Sequence, residues 1–361
     1  MAALMALPPR QLASQARLRY TSDDTEGIRR VRRGQGFAYY DAQERRVRSR
    51  ETLARIRMLG IPPAWTDVWI CSQPRGHLQA TGRDARSRKQ YIYHADWQVQ
   101  ASRTKFAKLR AFGESLPQIR RRVARHLALP RLTRQKVTAA VVALLDETLA
   151  RVGNEEYVRS NGSYGLTTLR DRHAKIRGKN LRLRFLGKSN KETEVELNSP
   201  RLARIVQLCQ DLPGQQLFQY REDDGSLCHL ESADINRYLR AITGRPFTAK
   251  DFRTWKATAL VLERLREQDA SALTATEARR AVAKAIRDTA QALGNTVTIC
   301  RNYYVHPQIT ELFLRGRLAA ACGSMKLRAG NRLDASERQL LRLLRKFERN
   351  AHRKRGKSSA A

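Results

Sequence analysis

The sequence predicts an α+β protein, with a small β-rich N-terminal domain followed by a larger, mainly α-helical domain that contains a small β-hairpin or sheet. Three observations predict it. Between Leu18 and Asp96 the chain is short-patterned and rich in aromatic residues, Gly and Pro. From about Trp97 apolar residues recur at helical spacing. Within that helical part, Leu181, Leu183 and Phe185 alternate with other residues, as a strand requires. The expected division is a loose leader over 1–17, a β-rich domain over 18–96, a helical domain over 97–344 and a basic tail over 345–361.

In the first domain, Gly36 to Tyr40 and Trp65 to Ile70 read as strands, as do Leu78 to Thr81 and Gln90 to His94. The last two flank a turn from Gly82 to Lys89, and a helix near Ser49 to Leu59 stops before Pro62-Pro63. In the second domain, Val137, Val141, Leu144, Leu145, Leu149 and Val152 share one face of a helix that ends at Gly153. Similar periods cover Arg204 to Leu212, Ile235 to Ile242, Ala257 to Leu265, Ala281 to Leu293, Ile309 to Leu318 and Glu337 to Phe347. The hairpin pairs the Leu181 strand with Thr193 to Leu197 across the polar turn Gly187 to Glu192.

Lys plus Arg number 70 against 34 acids, a formal net charge of +36. That excess implies a polyanionic partner, nucleic acid before an anionic membrane surface. The odd count of five cysteines, with no two in a C-x-x-C spacing, reads as reduced thiols, neither a disulfide framework nor a zinc site. No apolar run approaches the ~20 residues of a membrane span.

Gly187-Lys188-Ser189 invites a phosphate-loop reading, but position 182 is Arg where that motif needs Gly. No ATP site is expected, and no acid cluster suits two-metal phosphoryl chemistry. Phosphate chemistry here would rest on the protein's own cations. Cutting a strand without metal needs a nucleophile, donors to the non-bridging oxygens, an acid for the leaving oxygen and a surface that holds the duplex in line. A tyrosine hydroxyl can attack phosphorus, and Tyr303 and Tyr304 lie just before Pro307. Arg151 falls at the predicted end of the Val137 helix, where a cation also suits the dipole. Lys188 is a turn lysine that could reach a leaving oxygen. Arg253 is expected in the first turn of a helix opened by Thr248 or Lys250. There it opposes the dipole unless a phosphate also sits at that terminus. Asn295 follows Gly294 at a helix end, a capping position.

Together and in order, these residues resemble the type IB DNA topoisomerases, in their small poxvirus-like and bacterial branch. Arg83-Asp84 through Gln90-Tyr91-Ile92-Tyr93-His94 is similar to the family's DNA-contacting β segment. Arg151 through Tyr157, continuing to Tyr164–Leu169 and His173, is similar to its first catalytic block. Phe185-Leu186-Gly187-Lys188 matches the catalytic-lysine hairpin, and Lys250-Asp251-Phe252-Arg253-Thr254 the second-arginine block. Gly294-Asn295-Thr296 and Tyr304-Val305-His306-Pro307 match the final pair.

The resemblance implies the roles. Tyr304 is the nucleophile that forms a 3′-phosphotyrosyl link. Arg151, Arg253 and Asn295 stabilise the transition state, and Lys188 is the general acid, assisted by Lys250. Gln90, Tyr91, Tyr93, Arg83, Arg88, Lys89 and Tyr157 contact DNA. Many relatives carry His at the position of Asn295. An amide can donate a hydrogen bond to a phosphate oxygen but carries no proton or charge. Tyr304 is preferred to Tyr303 because it precedes Val305-His306-Pro307 and keeps a nine-residue spacing from Asn295. No cofactor and no metal are expected. The partner is double-stranded DNA, bound by a monomer in a bacterial cytoplasm at the nucleoid. The same chemistry serves the tyrosine recombinases, which carry His-x-x-Arg where this chain has Lys250 and Arg253. A non-catalytic DNA-binding protein would fit the charge alone.

Overall fold

The structure, a computed structural model, describes residues 8–358 apart from residue 269 and residues 324–331, and the side chains of 102, 103, 189 and 351–358 are also left aside. The chain divides into two compact units, Met1–Phe106 and Ala107–Ala361. The division falls inside a long helix, ten residues beyond the sequence boundary at 96/97.

The first unit opens with α1 (Pro9–Gln15), started by Pro9 at its first position and burying Leu12 and Ala13. Part of the expected loose leader is thus ordered, while residues 1–7 lie outside the described residues. An antiparallel sheet follows, built from β1 (Ile28–Arg33), β2 (Gly36–Tyr40), β3 (Thr66–Ile70), β4 (Leu78–Arg83) and β5 (Lys89–Tyr93), in the order β2-β1-β3-β4-β5. Helix α2 (Arg50–Met58) is capped by the Ser49 hydroxyl, which accepts from Thr52 N. Ile28, Ile56, Val68, Ile70 and Ala80 form the core beneath it.

Helix α3 (Ala95–Leu127) carries the division. The second unit continues with α4 (Arg134–Glu147) and α5 (Glu155–Asn161). Next comes a three-stranded sheet of β6 (Ala174–Arg177), β7 (Asn180–Leu186) and β8 (Glu192–Asn198). The predicted hairpin is β7–β8, with Leu183 opposite Val195 and Phe185 opposite Thr193. Helix α6 (Pro200–Gln210), the short pair β9 (Gln219–Arg221) and β10 (Leu227–His229), and α7 (Ser232–Thr243) lead to α8 (Ala249–Arg266) and α9 (Ala275–Ala292). The chain closes with α10 (Val297–Tyr303), α11 (Pro307–Leu314), α12 (Leu318–Cys322) and α13 (Ala335–Ser358). Helix α13 runs into the segment expected as a fraying tail. Among the described residues no helix is long and apolar enough to cross a membrane, and all five cysteines are free.

Helix α8 is the spine of this unit. Phe252, Trp255, Ala259 and Leu262 recur at helical spacing and are buried, and Phe112 meets Phe247, Phe252 and Trp255 edge-on. A buried carboxylate fixes α13 to it. Glu337, 1% exposed, accepts from Trp255 Nε1 at 3.0 Å and from both terminal nitrogens of Arg120 at 2.7 and 2.8 Å. Arg120 also binds Asp146 on α4. Removing one partner of such a pair strands a buried charge. Glu337→Ala is therefore expected to lower unfolding stability by about 3–5 kcal/mol, read as a lower midpoint in urea, with Glu337→Gln losing less.

Candidate active site

Arg151 does not lie at a helix end. Helix α4 stops at Glu147, because Thr148 turns extended and spends its hydroxyl on Leu144 O at 2.6 Å. Arg151 follows in an irregular loop, away from the last turn's carbonyls, so the dipole argument for it falls. The loop is held from behind by Leu166 N and Thr167 N, which donate to Arg151 O at 2.8 Å and Val152 O at 2.6 Å. Gly153 (φ +105°) and Gly165 make this possible. A Cβ on Gly165 would sit 2.4 Å from Gly153 N and 2.8 Å from Arg151 O. The segment Tyr164–Leu169 thus serves as a floor under the arginine.

Helix α9 ends in a Schellman turn. Gly294 (φ +60°) donates to Gln291 O and Asn295 N to Ala290 O, both at 2.9 Å. The backbone satisfies the helix end, and Thr296 caps α10 with its own hydroxyl. The Asn295 side chain is therefore left for another use. Its Oδ1 accepts from Arg151 Nη2 at 2.5 Å. Because a guanidinium only donates, the amide oxygen must face Arg151, and Nδ2 is left as a buried donor without a partner.

Arg253 is the fifth residue of α8, beyond the first turn expected for it. The helix terminus itself is closed by Asp251, whose carboxylate accepts from Thr248 N at 2.7 Å. A phosphate at that terminus does not explain Arg253. Instead the arginine is 4% exposed and donates to Leu149 O and, at 2.9 Å, to Leu293 O. One side chain thereby ties the Arg151 loop to the end of α9. Its Nε is a second buried donor without a partner.

Tyr304 ends α10 at the point where the chain leaves the helix. The Arg253 guanidinium lies 5.4 Å from its ring centroid. Burial pushes the Tyr304 hydroxyl up, but the charges of Arg253 and Lys250, a side-chain hydrogen bond with Arg253 and the charge of Arg151 outweigh it, and the net direction is down. Burial, followed by the charge of Arg151, lowers Arg253 to about 10, still cationic at neutral pH. Burial likewise lowers Arg151, with Tyr304 opposing. Tyr303, by contrast, is 45% exposed. Lys188 is exposed in a short 3₁₀ turn between β7 and β8. It lines a cleft of about 680 Å³ together with Arg151, Gly294 and Lys256.

The structure thus brings Arg151, Arg253, Asn295 and Tyr304 together, with Lys250 close enough for its charge to act on Tyr304. Lys188 shares a cleft with Arg151 and forms no hydrogen bond to this group. Sequence reasoning missed Thr258, whose buried hydroxyl lies 3.0 Å from Tyr304 O. No local signal marks it, since the two residues are 46 positions apart.

In the first unit, Tyr91 and Tyr93 stack on one face of β5, 6.1 Å apart, and Tyr91 is 49% exposed. The neighbouring cations are engaged with acids. Lys89 pairs with Asp23 at 2.6 Å, Arg88 with Asp84 at 2.7 Å and Arg83 with Asp67 at 3.5 Å. Arg88 holds the Asp84 carboxyl down at about 2, and Gln90 Nε2 donates to the same carboxylate. Tyr157 is 58% exposed on α5 in the second unit. Among the described residues no cluster of His, Cys, Asp and Glu is arranged to hold a metal ion.

Two family models match. Residues 89–313 match the catalytic core of eukaryotic DNA topoisomerase I, and residues 36–84 match the N-terminal domain of bacterial DNA topoisomerase IB. The chain is 31% identical over 294 residues to DNA topoisomerase 1B of Acanthamoeba polyphaga mimivirus, covering 80% of this chain and 88% of the relative. It is 26% identical over 182 residues to DNA topoisomerase 1 of Mycosarcoma maydis, of which it spans 18%. With the core model covering more than half its length, this chain belongs to the type IB DNA topoisomerases.

Proposed function

We propose that this enzyme nicks one strand of double-stranded DNA with Tyr304, lets the strand rotate and then reseals it. The Tyr304 hydroxyl gives its proton to solvent, and its oxygen forms a bond to phosphorus as the bond to the 5′-oxygen breaks. The 3′-phosphate stays on tyrosine, and Lys188, assisted by Lys250, gives its proton to the departing 5′-oxygen. Attack by that 5′-hydroxyl reverses each step. The ester conserves the bond energy, so the cycle consumes no ATP.

One observation carries this reading. Three cations bear on one tyrosine hydroxyl, beside two buried donors, Arg253 Nε and Asn295 Nδ2, that lack partners within the protein. Leaving such donors unpaired costs about 1–3 kcal/mol each, a cost that non-bridging phosphate oxygens would remove. Those oxygens carry the charge of the pentacoordinate state, where fixed donors act most strongly. Arg151 and Arg253 supply charge, and Asn295, aligned by Arg151, supplies a neutral donor.

DNA contacts are assigned to Gln90, Tyr91, Tyr93, Arg83, Arg88 and Lys89 in the first unit and to Tyr157 in the second. Phosphates would compete with Asp23, Asp67 and Asp84 for these cations. The enzyme acts as a monomer, since one chain supplies every group named, and its setting is a bacterial cytoplasm with nucleoid DNA. The match of residues 36–84 to a bacterial domain supports that setting. The test is relaxation of a supercoiled plasmid in EDTA without nucleotide. Relaxation without strand exchange between two duplexes is expected. Dependence on metal or ATP, or exchange without relaxation, would overturn the reading.

The lowered hydroxyl gives a pH prediction. Attack needs the phenolate, so the single-turnover cleavage rate is expected to rise with pH and level off below the ordinary tyrosine value of 10. In Arg253→Ala the rising limb moves to higher pH as well as dropping in amplitude, because the largest charge opposing protonation is gone.

A further inference from the structure

We propose that Thr258 is a positioning residue for the nucleophile, acting through the backbone on both sides of Tyr304. The inference rests on the assignment of Tyr304 and adds a group outside the set that faces the phosphate. Thr258 lies on α8, five residues after Arg253, and is fully buried. Its hydroxyl lies 3.0 Å from Tyr304 O and 2.9 Å from Thr254 O, and it accepts from His306 N at 3.3 Å. A hydroxyl has one proton and two lone pairs. The proton is shared between its own helix and Tyr304 O, and a lone pair takes His306 N.

The location makes this more than a helix back-bond. Tyr304 and Val305 form the short link between α10 and α11. Tyr304 has left helical geometry, with φ −133° and ψ −16°. The ends of that link are where the tyrosine's direction is set. Val305 and His306 are buried at 2% and 7% exposure, so the link is also packed. The Thr258 hydroxyl, donating to Tyr304 O and accepting from His306 N, ties both to the helix that carries Arg253. Nucleophile and transition-state cation are thereby referenced to one rigid element. Displacing a reacting atom by ~1 Å can cost about 10²-fold in rate, so loss of this hydroxyl has a kinetic consequence beyond its stability cost.

The positioning role makes a distinctive prediction. A residue that aims the tyrosine oxygen affects attack on DNA and attack on the phosphotyrosine equally, since both pass through one transition state. In Thr258→Val, single-turnover cleavage of a suicide duplex and religation of the isolated adduct are both expected to fall by about 10- to 100-fold. The equilibrium fraction of covalent complex on an intact duplex and the affinity for DNA should be unchanged. Thr258→Ser, which keeps the oxygen, should recover most of both rates. Assays run well below each variant's melting temperature, with the active fraction titrated by adduct formation at long times, separate this from instability. Wild-type cleavage and religation rates in folded Thr258→Val, or a fall in Thr258→Ser as large as in Thr258→Val, would overturn the proposal. Tyr304→Phe in the same assay separates the two levels. An adduct in that variant removes the nucleophile assignment and this inference with it. No adduct there, beside normal rates in Thr258→Val, removes this inference alone.

Discussion

Tyr304→Phe is expected to bind duplex DNA within about twofold of wild type, because phosphate contacts dominate affinity, and to form no covalent adduct. Relaxation should fall to the assay floor. The change deletes one oxygen from a half-buried ring, and the ring stays beneath the Arg253 guanidinium. Folding should therefore be preserved, as a melting temperature close to wild type would show. Tyr303→Phe is the control. Tyr303 is 45% exposed, and the close guanidinium of Arg253 lies over the ring of Tyr304, so that variant should retain relaxation. Residual relaxation by Tyr304→Phe would remove the chemistry assigned here.

Lys188→Ala should slow cleavage by about 10²- to 10⁴-fold, the usual worth of a general acid, with little change in DNA affinity. The lysine sits in an exposed turn, so the fold should not depend on it. The expected signature is rescue by the leaving group. A duplex with sulfur in place of the bridging 5′-oxygen expels a thiolate that needs no protonation. Lys188→Ala should cut it at close to the wild-type rate. A variant equally slow on both substrates would show that Lys188 has another role. Rescue would also imply that the β7–β8 turn approaches the scissile bond when DNA is bound.

Much of this was legible in the sequence, for physical reasons that differ by element. The β7–β8 hairpin is read correctly because one face is buried, so Leu181, Leu183 and Phe185 must alternate with exposed residues. Strand β1 is missed because its sequence, Ile-Arg-Arg-Val-Arg-Arg, is mostly charge. The charge is tolerated because Arg30 stacks on Phe37 at 4.1 Å and donates to the carbonyl of Trp65. The end of α4 is misplaced by six residues. Leu149 and Val152 continue the helical period, but the Thr148 hydroxyl competes for Leu144 O and the chain turns away. That misplacement gives Arg151 the wrong local explanation.

The candidate site shows the same division. Motif order nominates Arg151, Lys188, Arg253, Asn295 and Tyr304, while the mutual geometry of Arg151, Arg253 and Asn295 depends on contacts 100 or more residues apart, such as Arg253 to Leu149 O and Arg151 to Asn295. Asn295 reads as a capping residue from its neighbours. Only the Schellman hydrogen bonds reveal that the backbone caps the helix and releases the side chain. Thr258 has no motif at all, because its relevance lies in where the chain passes after a further 46 residues.

Cations on separate elements converge on the Tyr304 hydroxyl, which by the proposed mechanism makes it a nucleophile toward phosphorus. The most direct test is to stop the wild-type reaction on 3′-labelled and 5′-labelled duplex with denaturant, digest the trapped complex and map the modified peptide by mass spectrometry. A single nucleotide-bearing residue is expected, Tyr304, joined to the 3′-phosphate, with a free 5′-hydroxyl on the other strand end. A linkage on Tyr303, attachment to a 5′-phosphate, or cleavage with no covalent complex would contradict it.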